Sequence, residues 1–235
     1  MQLLGYHIDI ALPEIVSGQK LVINTINPHS YCVAKEDEQF RKALQQSDVL
    51  LPDGVGIVYA ARILNKKKIQ RITGSDLHMY LLDLAQKRGL KVFYLGASKK
   101  TLQMIEAKIA GEYPAIRVAT YSPPYKAEFS EAESREMIEA VNAFAPDVLF
   151  VGMTAPKQEK WVSQHHTFIQ AGAICSVGAV FDFFTGNVKR PGKFWQNMGL
   201  EWLPRLIGEP KRLFKRNFYS TPRFLWEVVK EMIRN

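Results

Sequence analysis

A carboxylate, Asp53, stands directly after a short apolar run and before Gly54. Residues 48–51 predict a buried strand, and a residue just beyond such a strand lies at the carboxyl edge of a sheet, where α/β proteins bind ligands. A carboxylate in that place can take a proton from an attacking hydroxyl, so Asp53 is a candidate catalytic base. It can equally cap the helix that the pattern predicts from Val55.

Two segments combine a basic or amide side chain with a predicted helix start. Arg71 precedes the start that contains Gly74 and Asp76, and its guanidinium can bind a diphosphate through two hydrogen bonds. An ion pair between Arg71 and Asp76 is the structural alternative. Lys157 and Gln158 occupy another first helical turn, where a lysine opposes the helix dipole and a negative ligand nearby is favoured. These residue types predict a site for a phosphorylated ligand.

Other polar residues follow predicted strands. Thr25 and Asn27 come after the first strand and can hydrogen-bond a sugar or phosphate, although Asn27 before proline is also a common turn starter. Tyr121 opens a proline-containing loop that fits a substrate contact or a plain surface connection. Asp182, in an aromatic run, needs partners if it is buried, either a ligand or a loop. Arg190 follows it and is predicted to face the same cleft.

Strand and helix patterns alternate along the chain from residue 20 onward. The predicted strands are residues 21–26, 48–51, 91–95, 116–120, 147–151 and 173–177. The predicted helices are residues 30–46, 55–64, 75–88, 99–110, 130–144 and 156–170. This alternation predicts an α/β, Rossmann-like fold with a mostly parallel sheet flanked by helices.

Positive charge is concentrated at the C-terminus. Residues 1–188 contain 20 Lys and Arg against 19 Asp and Glu, whereas residues 189–235 contain 11 against 4. The strand pattern also stops near Val188, which predicts a catalytic domain at 1–188 and a basic, amphipathic helical appendage at 189–235. Basic residues interleaved with aromatic ones predict a polyanionic partner or surface for this tail. Its basic residues include Arg205, Lys211, Arg212, Lys215, Arg216 and Arg223.

Composition disfavours several classes of protein. No apolar run reaches the ~20 residues of a membrane span, and the N-terminus has no secretory signal pattern, so a cytoplasmic protein is expected. The two cysteines are far apart and predict neither a disulfide framework nor a zinc site, and no metal site or cofactor is expected. A pI near 9.4 is compatible with nucleic-acid binding, but the nearly neutral α/β region argues against it. A soluble nucleotide-sugar epimerase is a further alternative, which would not need the tail.

Taken together, the motifs resemble the WecG/TagA/CpsF glycosyltransferases along essentially the whole chain. The matching segments are Asn24 to Pro28, Pro52 to Gly54, Arg71 to Leu77, Pro156 to Glu159, Val177 to Asp182, Arg190-Pro191 and Gly199 to Pro210. The resemblance implies Asp53 as the base and places Thr25 and Gln158 among the groups that hold substrates.

The same resemblance implies an inverting, metal-independent reaction. A sugar would move from a UDP-sugar donor to a polyprenyl-diphosphate-linked sugar at the cytoplasmic face of the membrane. The six basic tail residues named above would then contact that anionic membrane or the acceptor, and a tail packed on its own core is the alternative. The donor sugar would be N-acetylmannosamine, its uronic acid or glucose. Self-association stays open.

Overall fold

The computed structural model describes residues 1–16, 18–188, 192, 195 and 215–234, with backbone alone at 215–217. Within these residues a short antiparallel hairpin precedes a parallel sheet of six strands in the order β4-β3-β8-β7-β5-β6. The strands are β1 (Gln2–Leu3), β2 (Tyr6–His7), β3 (Leu21–Ile26), β4 (Val49–Pro52), β5 (Lys91–Gly96), β6 (Arg117–Tyr121), β7 (Val148–Gly152) and β8 (Ala173–Ser176). The α/β, Rossmann-like prediction is confirmed.

Helices follow most strands, as the alternation predicts. They are α1 (Pro28–Ala34), α2 (Glu38–Gln45), α3 (Val55–Leu64), α4 (Gly74–Arg88), α5 (Lys99–Glu112), α6 (Glu131–Phe144), α7 (Lys157–His165), α8 (Val180–Thr185) and α9 (Thr221–Arg234). A 3-10 turn (His166–Phe168) follows α7, and a π-helical turn (Lys215–Ser220) precedes α9.

One predicted helix is wrong, because residues 30–46 form two helices. Asp37 has an extended backbone, and its side chain accepts a hydrogen bond from the Phe40 N–H at 2.9 Å, which starts α2. The carboxylate thus caps a new helix instead of extending the first one. Residues 180–185, which were expected at a strand end, form the short helix α8.

Side chains of the sheet alternate between two faces, as strand geometry requires. One face packs against α4, α5 and α8 in a single apolar cluster. On the other face, the described residues form two clusters: the edge cluster under α1, α2, α3 and α9, which contains Ile26 and Leu50, and the central cluster under α6 and α7, which contains Val22 and Leu149. Val22 and Ile26 lie on the same strand, so the boundary between these clusters crosses β3 near Asn24.

The final helix, α9, joins the edge cluster through one face. Phe224 and Val228 are buried against α1 and α3, and the ring of Phe224 meets that of Tyr31 edge-on at 5.2 Å. Ion pairs of Lys35 with Glu227 and of Arg223 with Glu36 flank this contact. The described end of the predicted appendage therefore packs on the α/β core.

Candidate active site

Two neighbouring strands bring the first candidate residues together at the carboxyl edge of the sheet. In the parallel register Thr25 lies opposite Leu51, and the Asp53 N–H continues the ladder by donating to the Ile26 carbonyl at 2.8 Å. Adjacent strands are ~4.8 Å apart, so Thr25 and Asn27 lie beside Asp53. The structure thus confirms that these three residues share one edge.

Gly54 fixes the turn that follows Asp53. It adopts φ +99°, a conformation that L side chains rarely take, and it occupies the N-cap position of α3. The cap position is therefore filled by Gly54 and not by Asp53. Asn27 does act as a cap, because its side chain accepts hydrogen bonds from the backbone N–H groups of His29 and Ser30 at 3.0 Å.

The loop between α3 and α4 returns to the end of β4, beside Asp53. The Ile72 N–H donates to the Pro52 carbonyl at 2.9 Å, which holds half-buried Arg71 next to the end of β4. Thr73 and Asp76 form a capping box in which the Asp76 carboxylate accepts from both the N–H and the hydroxyl of Thr73 at 2.8 Å. Asp76 thus orders the loop that carries Arg71.

Close contacts link this loop to the ends of β8 and β7. A Cβ on Gly74 would lie 3.4 Å from the Val177 carbonyl oxygen, so α4 begins against the turn after β8. A Cβ on Gly178, in the same turn, would lie 3.6 Å from Nε2 of Gln158. Asp53, Arg71 and Gln158 therefore lie along the same carboxyl edge of the sheet, and the turn after β8 contacts both the start of α4 and Gln158.

Gln158 is buried and its carboxamide is held on both sides. Its Oε1 accepts from the Met153 N–H at 3.2 Å, and its Nε2 donates to Oε1 of Glu159 at 2.9 Å. No residue in the described part of the chain accepts the second N–H of this amide. The two hydrogen bonds fix the orientation of the amide and leave it one neutral N–H donor.

Glu159 is a buried carboxylic acid next to this amide. Burial raises the pKa of its carboxyl from 4.5 to about 7, and the hydrogen bond from Gln158 opposes that shift by a smaller amount. Below pH 4.5 the carboxyl is protonated in the folded and the unfolded chain alike. Between that pH and about 7 the unfolded chain releases its proton first, so the free energy of unfolding falls as pH rises.

We expect Glu159→Gln to remove this pH dependence. The free energy of unfolding of the variant minus that of wild type should rise by about 3 kcal/mol as pH increases from 4.5 to about 7.5. At higher pH this difference should stay constant. Urea unfolding followed by circular dichroism at closely spaced pH values measures it. Glu139→Gln, at an exposed position on α6, is the control and should show no such trend. Parallel curves for wild type and Glu159→Gln would contradict the expectation.

Two candidate side chains lie away from Asp53 and Arg71. Tyr121 ends β6, at the opposite edge of the sheet from β4, so five strand spacings, about 24 Å, separate it from Asp53. Its hydroxyl donates to Glu136 on α6 at 3.3 Å. The Lys157 ammonium donates to the Lys126 carbonyl at 2.7 Å and lies 4.6 Å from the ring centroid of Phe129, which directs it to the β6–α6 loop.

The remaining candidates lie on α8 or toward the C-terminus. Asp182 is half-buried on α8, which follows the Gly178 turn. Arg223 pairs with Glu36 on the surface beside α9. Of the other predicted basic residues, Lys215 and Arg216 are described by backbone alone, and four lie outside the described residues: Arg190, Arg205, Lys211 and Arg212.

Sequence reasoning missed Thr73 and Glu159 as parts of the site. Thr73 has a local signal, because a threonine three residues before an acidic side chain is typical of a capping box. No local sequence signal shows that the Glu159 carboxyl is buried, because its burial depends on how α7 packs. Among the described residues, no three His, Cys, Asp or Glu side chains are grouped so that they could hold a metal ion.

Comparison with known proteins decides the family. The model of the glycosyl transferase WecG/TagA/CpsF family matches residues 5–235. The chain belongs to this family. It is accordingly a glycosyltransferase, and the carboxyl edge of the sheet around Asp53 is its candidate active site.

Its relatives include enzymes named N-acetylglucosaminyldiphosphoundecaprenol N-acetyl-beta-D-mannosaminyltransferase. The protein of this name from Bacillus subtilis strain 168 is 37% identical over 212 residues, which cover 89% of this chain and 79% of the relative. That from Bacillus spizizenii strain W23 is 34% identical and covers 88% and 78%. That from Staphylococcus aureus strain MW2 is 28% identical and covers 91% and 82%.

Proposed function

We propose that this glycosyltransferase moves N-acetylmannosamine from a UDP-linked donor to N-acetylglucosaminyl-diphosphoundecaprenol, for the synthesis of a cell-surface polymer. The observation that carries the chemistry is the placement of Asp53, Arg71 and Gln158 at one carboxyl edge of the sheet. The sugar and the acceptor follow from the names of the relatives. Of the donor sugars that the sequence leaves open, the relatives favour N-acetylmannosamine over its uronic acid and glucose.

In the proposed reaction Asp53 accepts the proton of the acceptor hydroxyl as its oxygen attacks the anomeric carbon of the donor. The new bond joins the acceptor oxygen to the anomeric carbon, and the bond from that carbon to the diphosphate oxygen breaks. UDP leaves with the electron pair. A single displacement on an α-linked donor inverts the anomeric carbon and gives the β-linked product that the relatives' name specifies.

Arg71 would stabilise the negative charge that develops on the departing diphosphate. A guanidinium binds two phosphate oxygens at once, and a fixed cation in a partly dry cleft needs little reorganisation during the reaction. Gln158 would donate its remaining N–H to the donor. We propose that these groups let the transfer proceed without a divalent cation or other cofactor.

Release of UDP tests this proposal. We expect wild-type protein to release UDP from UDP-N-acetylmannosamine only when a synthetic lipid-diphosphate-N-acetylglucosamine is present, and equally well with EDTA. The uronic acid and glucose donors serve as comparisons. Release that is independent of acceptor would contradict transfer, and release that EDTA abolishes would contradict the cation-independent mechanism.

For localisation, we propose that α9 docks on the cytoplasmic face of the membrane that holds the acceptor. No helix among the described residues is long and apolar enough to span a membrane. Opposite its buried face, however, α9 exposes large apolar side chains at Leu225, Trp226, Val229, Met232 and Ile233. Tyr59 and Ile63 on the neighbouring α3 are exposed as well. Contiguous apolar surface beside basic residues is typical of interfacial helices.

Vesicle binding tests whether the exposed apolar side chains of α9 bind a membrane. Trp226 is 57% exposed on α9, and Trp226→Glu should reduce binding to anionic phosphatidylglycerol vesicles about tenfold by removing apolar contact and adding like charge. Phe168→Glu is the matched control, because Phe168 is 66% exposed but follows α7. Equal losses in the two variants, or no binding by wild type, would contradict docking through α9.

A further inference from the structure

Three buried polar side chains lie behind the first turn of α7. Asn24, Glu159 and Ser176 are 1%, 5% and 2% exposed. Each has one buried oxygen without a hydrogen-bond partner, and among the described residues these are the only side-chain atoms in that condition: Oδ1 of Asn24, Oε2 of Glu159 and Oγ of Ser176. Unpartnered buried oxygens cost free energy, and a structure that retains several of them near one another needs an explanation.

Strand register places these side chains on one face of the sheet. Ile23 lies opposite Cys175 in the parallel pair of β3 and β8, so Asn24 and Ser176 are the next neighbours along the two strands. Both point away from the face of Ile23 and toward the face that α2 and α7 cover. That is where the edge cluster and the central cluster meet. Glu159 is buried in the first turn of α7, which packs on β8, so the three oxygens lie on the same side of the sheet, and the space among them is called the polar gap.

The polar gap has fewer hydrogen-bond donors than acceptors. The free oxygen of Asn24 only accepts, an ionised Glu159 only accepts, and the Ser176 hydroxyl has a single hydrogen to donate. The Asn24 amide already donates to the Ser47 hydroxyl at 2.8 Å. One water molecule supplies two donors and an acceptor, and buried waters are typically held by two to four polar partners.

The same carboxylate holds the amide of the candidate active site. Oε1 of Glu159 accepts from Nε2 of Gln158, while Oε2 is buried and has no hydrogen-bond partner among the described residues. We propose that Glu159 is the positioning residue of Gln158, and that a buried water shared with Asn24 and Ser176 holds the carboxylate in place. This inference rests on the proposed role of Gln158 in binding the donor.

Ionisation of Glu159 would then reach the active site through one hydrogen bond. A charged carboxylate accepts more strongly than a neutral acid, so deprotonation tightens its hold on the Gln158 amide. Other groups on the surrounding elements also titrate or carry charge. They are the partly exposed pair Asp37 and Lys160, the exposed Glu38, Arg41 and Lys42 on α2, Asp48 before β4, and Lys157, His165 and His166 on or after α7.

The direct test is the side-chain amide signal of Gln158 in the whole protein labelled with 15N-glutamine. The signal that is absent from the spectrum of the Gln158→Asn variant is assigned to Gln158. We expect this signal to shift with a midpoint near pH 7 in wild type and in Glu139→Gln, and to stay constant with pH in Glu159→Gln. A Gln158 signal that ignores both pH and the Glu159 substitution would overturn the proposal. Failure of the transferase assay would leave this result unaffected, so the two proposals fail separately.

A double-mutant cycle supplies the functional test. Glu159→Leu and Gln158→Ala should each raise the KM for the donor about tenfold, and the double variant should be no worse than Gln158→Ala alone. Restoration of KM by Glu159→Gln at pH 6, where the natural acid is largely protonated, would agree with positioning through a hydrogen bond. Additive losses in the double variant would overturn it, because they would show that Glu159 acts independently of Gln158.

The shared water has its own test. Ser176→Ala and Asn24→Leu each remove one partner, and we expect either variant to move the midpoint of the Gln158 signal by changing what Oε2 contacts. A high-resolution crystal structure should show one ordered water within hydrogen-bond distance of all three oxygens. If that structure showed no ordered water among the three oxygens, the proposal of a shared water would be wrong. If the midpoints did not change, the proposed effect of this water on Glu159 would be wrong.

Discussion

Asp53→Asn should lower kcat by about 10²- to 10⁴-fold, which is the usual contribution of a general base. Asparagine has nearly the same shape but cannot take the proton of the acceptor hydroxyl. The backbone bond from residue 53 to the Ile26 carbonyl does not involve the side chain, so the turn should persist. The loss should therefore appear in kcat, with UDP affinity changed by a much smaller factor.

Steady-state kinetics and calorimetric UDP binding on the same preparations separate these effects. Asp83→Asn is the matched control, because Asp83 is an exposed carboxylate on α4, away from the carboxyl edge. It should leave kcat unchanged. Loss of UDP binding in Asp53→Asn with kcat preserved at saturating donor would contradict a catalytic base and favour a binding role for Asp53.

Phe224→Ala should release α9 from the edge cluster. Phe224 is fully buried, and a Cβ on Gly56 would lie 3.6 Å from its ring, so the ring fills the groove between α1 and α3. Loss of a buried phenylalanine typically costs about 3–5 kcal/mol. The two surface ion pairs that flank the ring stabilise the contact of α9 by at most ~1 kcal/mol each, so they cannot hold the helix once the ring is lost.

Native-state hydrogen exchange of the α9 amides and limited proteolysis measure this release. Leu225→Ala is the control on the same helix, since Leu225 is 47% exposed, and it should change stability by no more than about 0.5 kcal/mol. If the α9 amides were as well protected from exchange in Phe224→Ala as in Leu225→Ala, the contact of Phe224 with the edge cluster would not be what holds the helix.

Local signals allowed most of the fold to be predicted. Leu21–Ile26 and Val55–Leu64 match the predicted strand and helix, and α4 ends at Arg88 as predicted, followed by Gly89 in a left-handed conformation. Asp37 shows the limit of such signals. Its carboxylate suits the polar face of one long helix or the cap of a second, and only the chain reversal between α1 and α2 decides in favour of the cap.

The site was predictable where neighbouring strands follow each other in sequence. Thr25 and Asp53 come from β3 and β4, which are adjacent in the sheet and consecutive in the chain. Tyr121 was placed by the same rule, but β7 and β8 insert between β5 and β3, which leaves β6 at the far edge. Strand order is set by which surfaces pack together, and no local pattern in this sequence encodes it.

Long-range packing also determines the contacts and burial of individual side chains. Lys157 was expected at an anion site because of its position in a first helical turn, yet its ammonium is held by a carbonyl and a ring of the β6–α6 loop. Glu159 belongs to a recognisable motif, but its burial depends on how α7 meets the sheet. Its role in holding Gln158 therefore emerges only from the structure.

Mass spectrometry of the acceptor lipid tests the central claim most directly. The protein would be incubated with synthetic lipid-diphosphate-N-acetylglucosamine and UDP-N-acetylmannosamine, and the lipid product compared with that from the Asp53→Asn variant. We predict that wild type adds one N-acetylhexosamine residue to the lipid, in the β configuration by NMR, and that Asp53→Asn adds almost none. An unmodified lipid, with UDP bound by the folded protein, would contradict the proposed donor and acceptor, and an α-linked product would contradict the inverting mechanism.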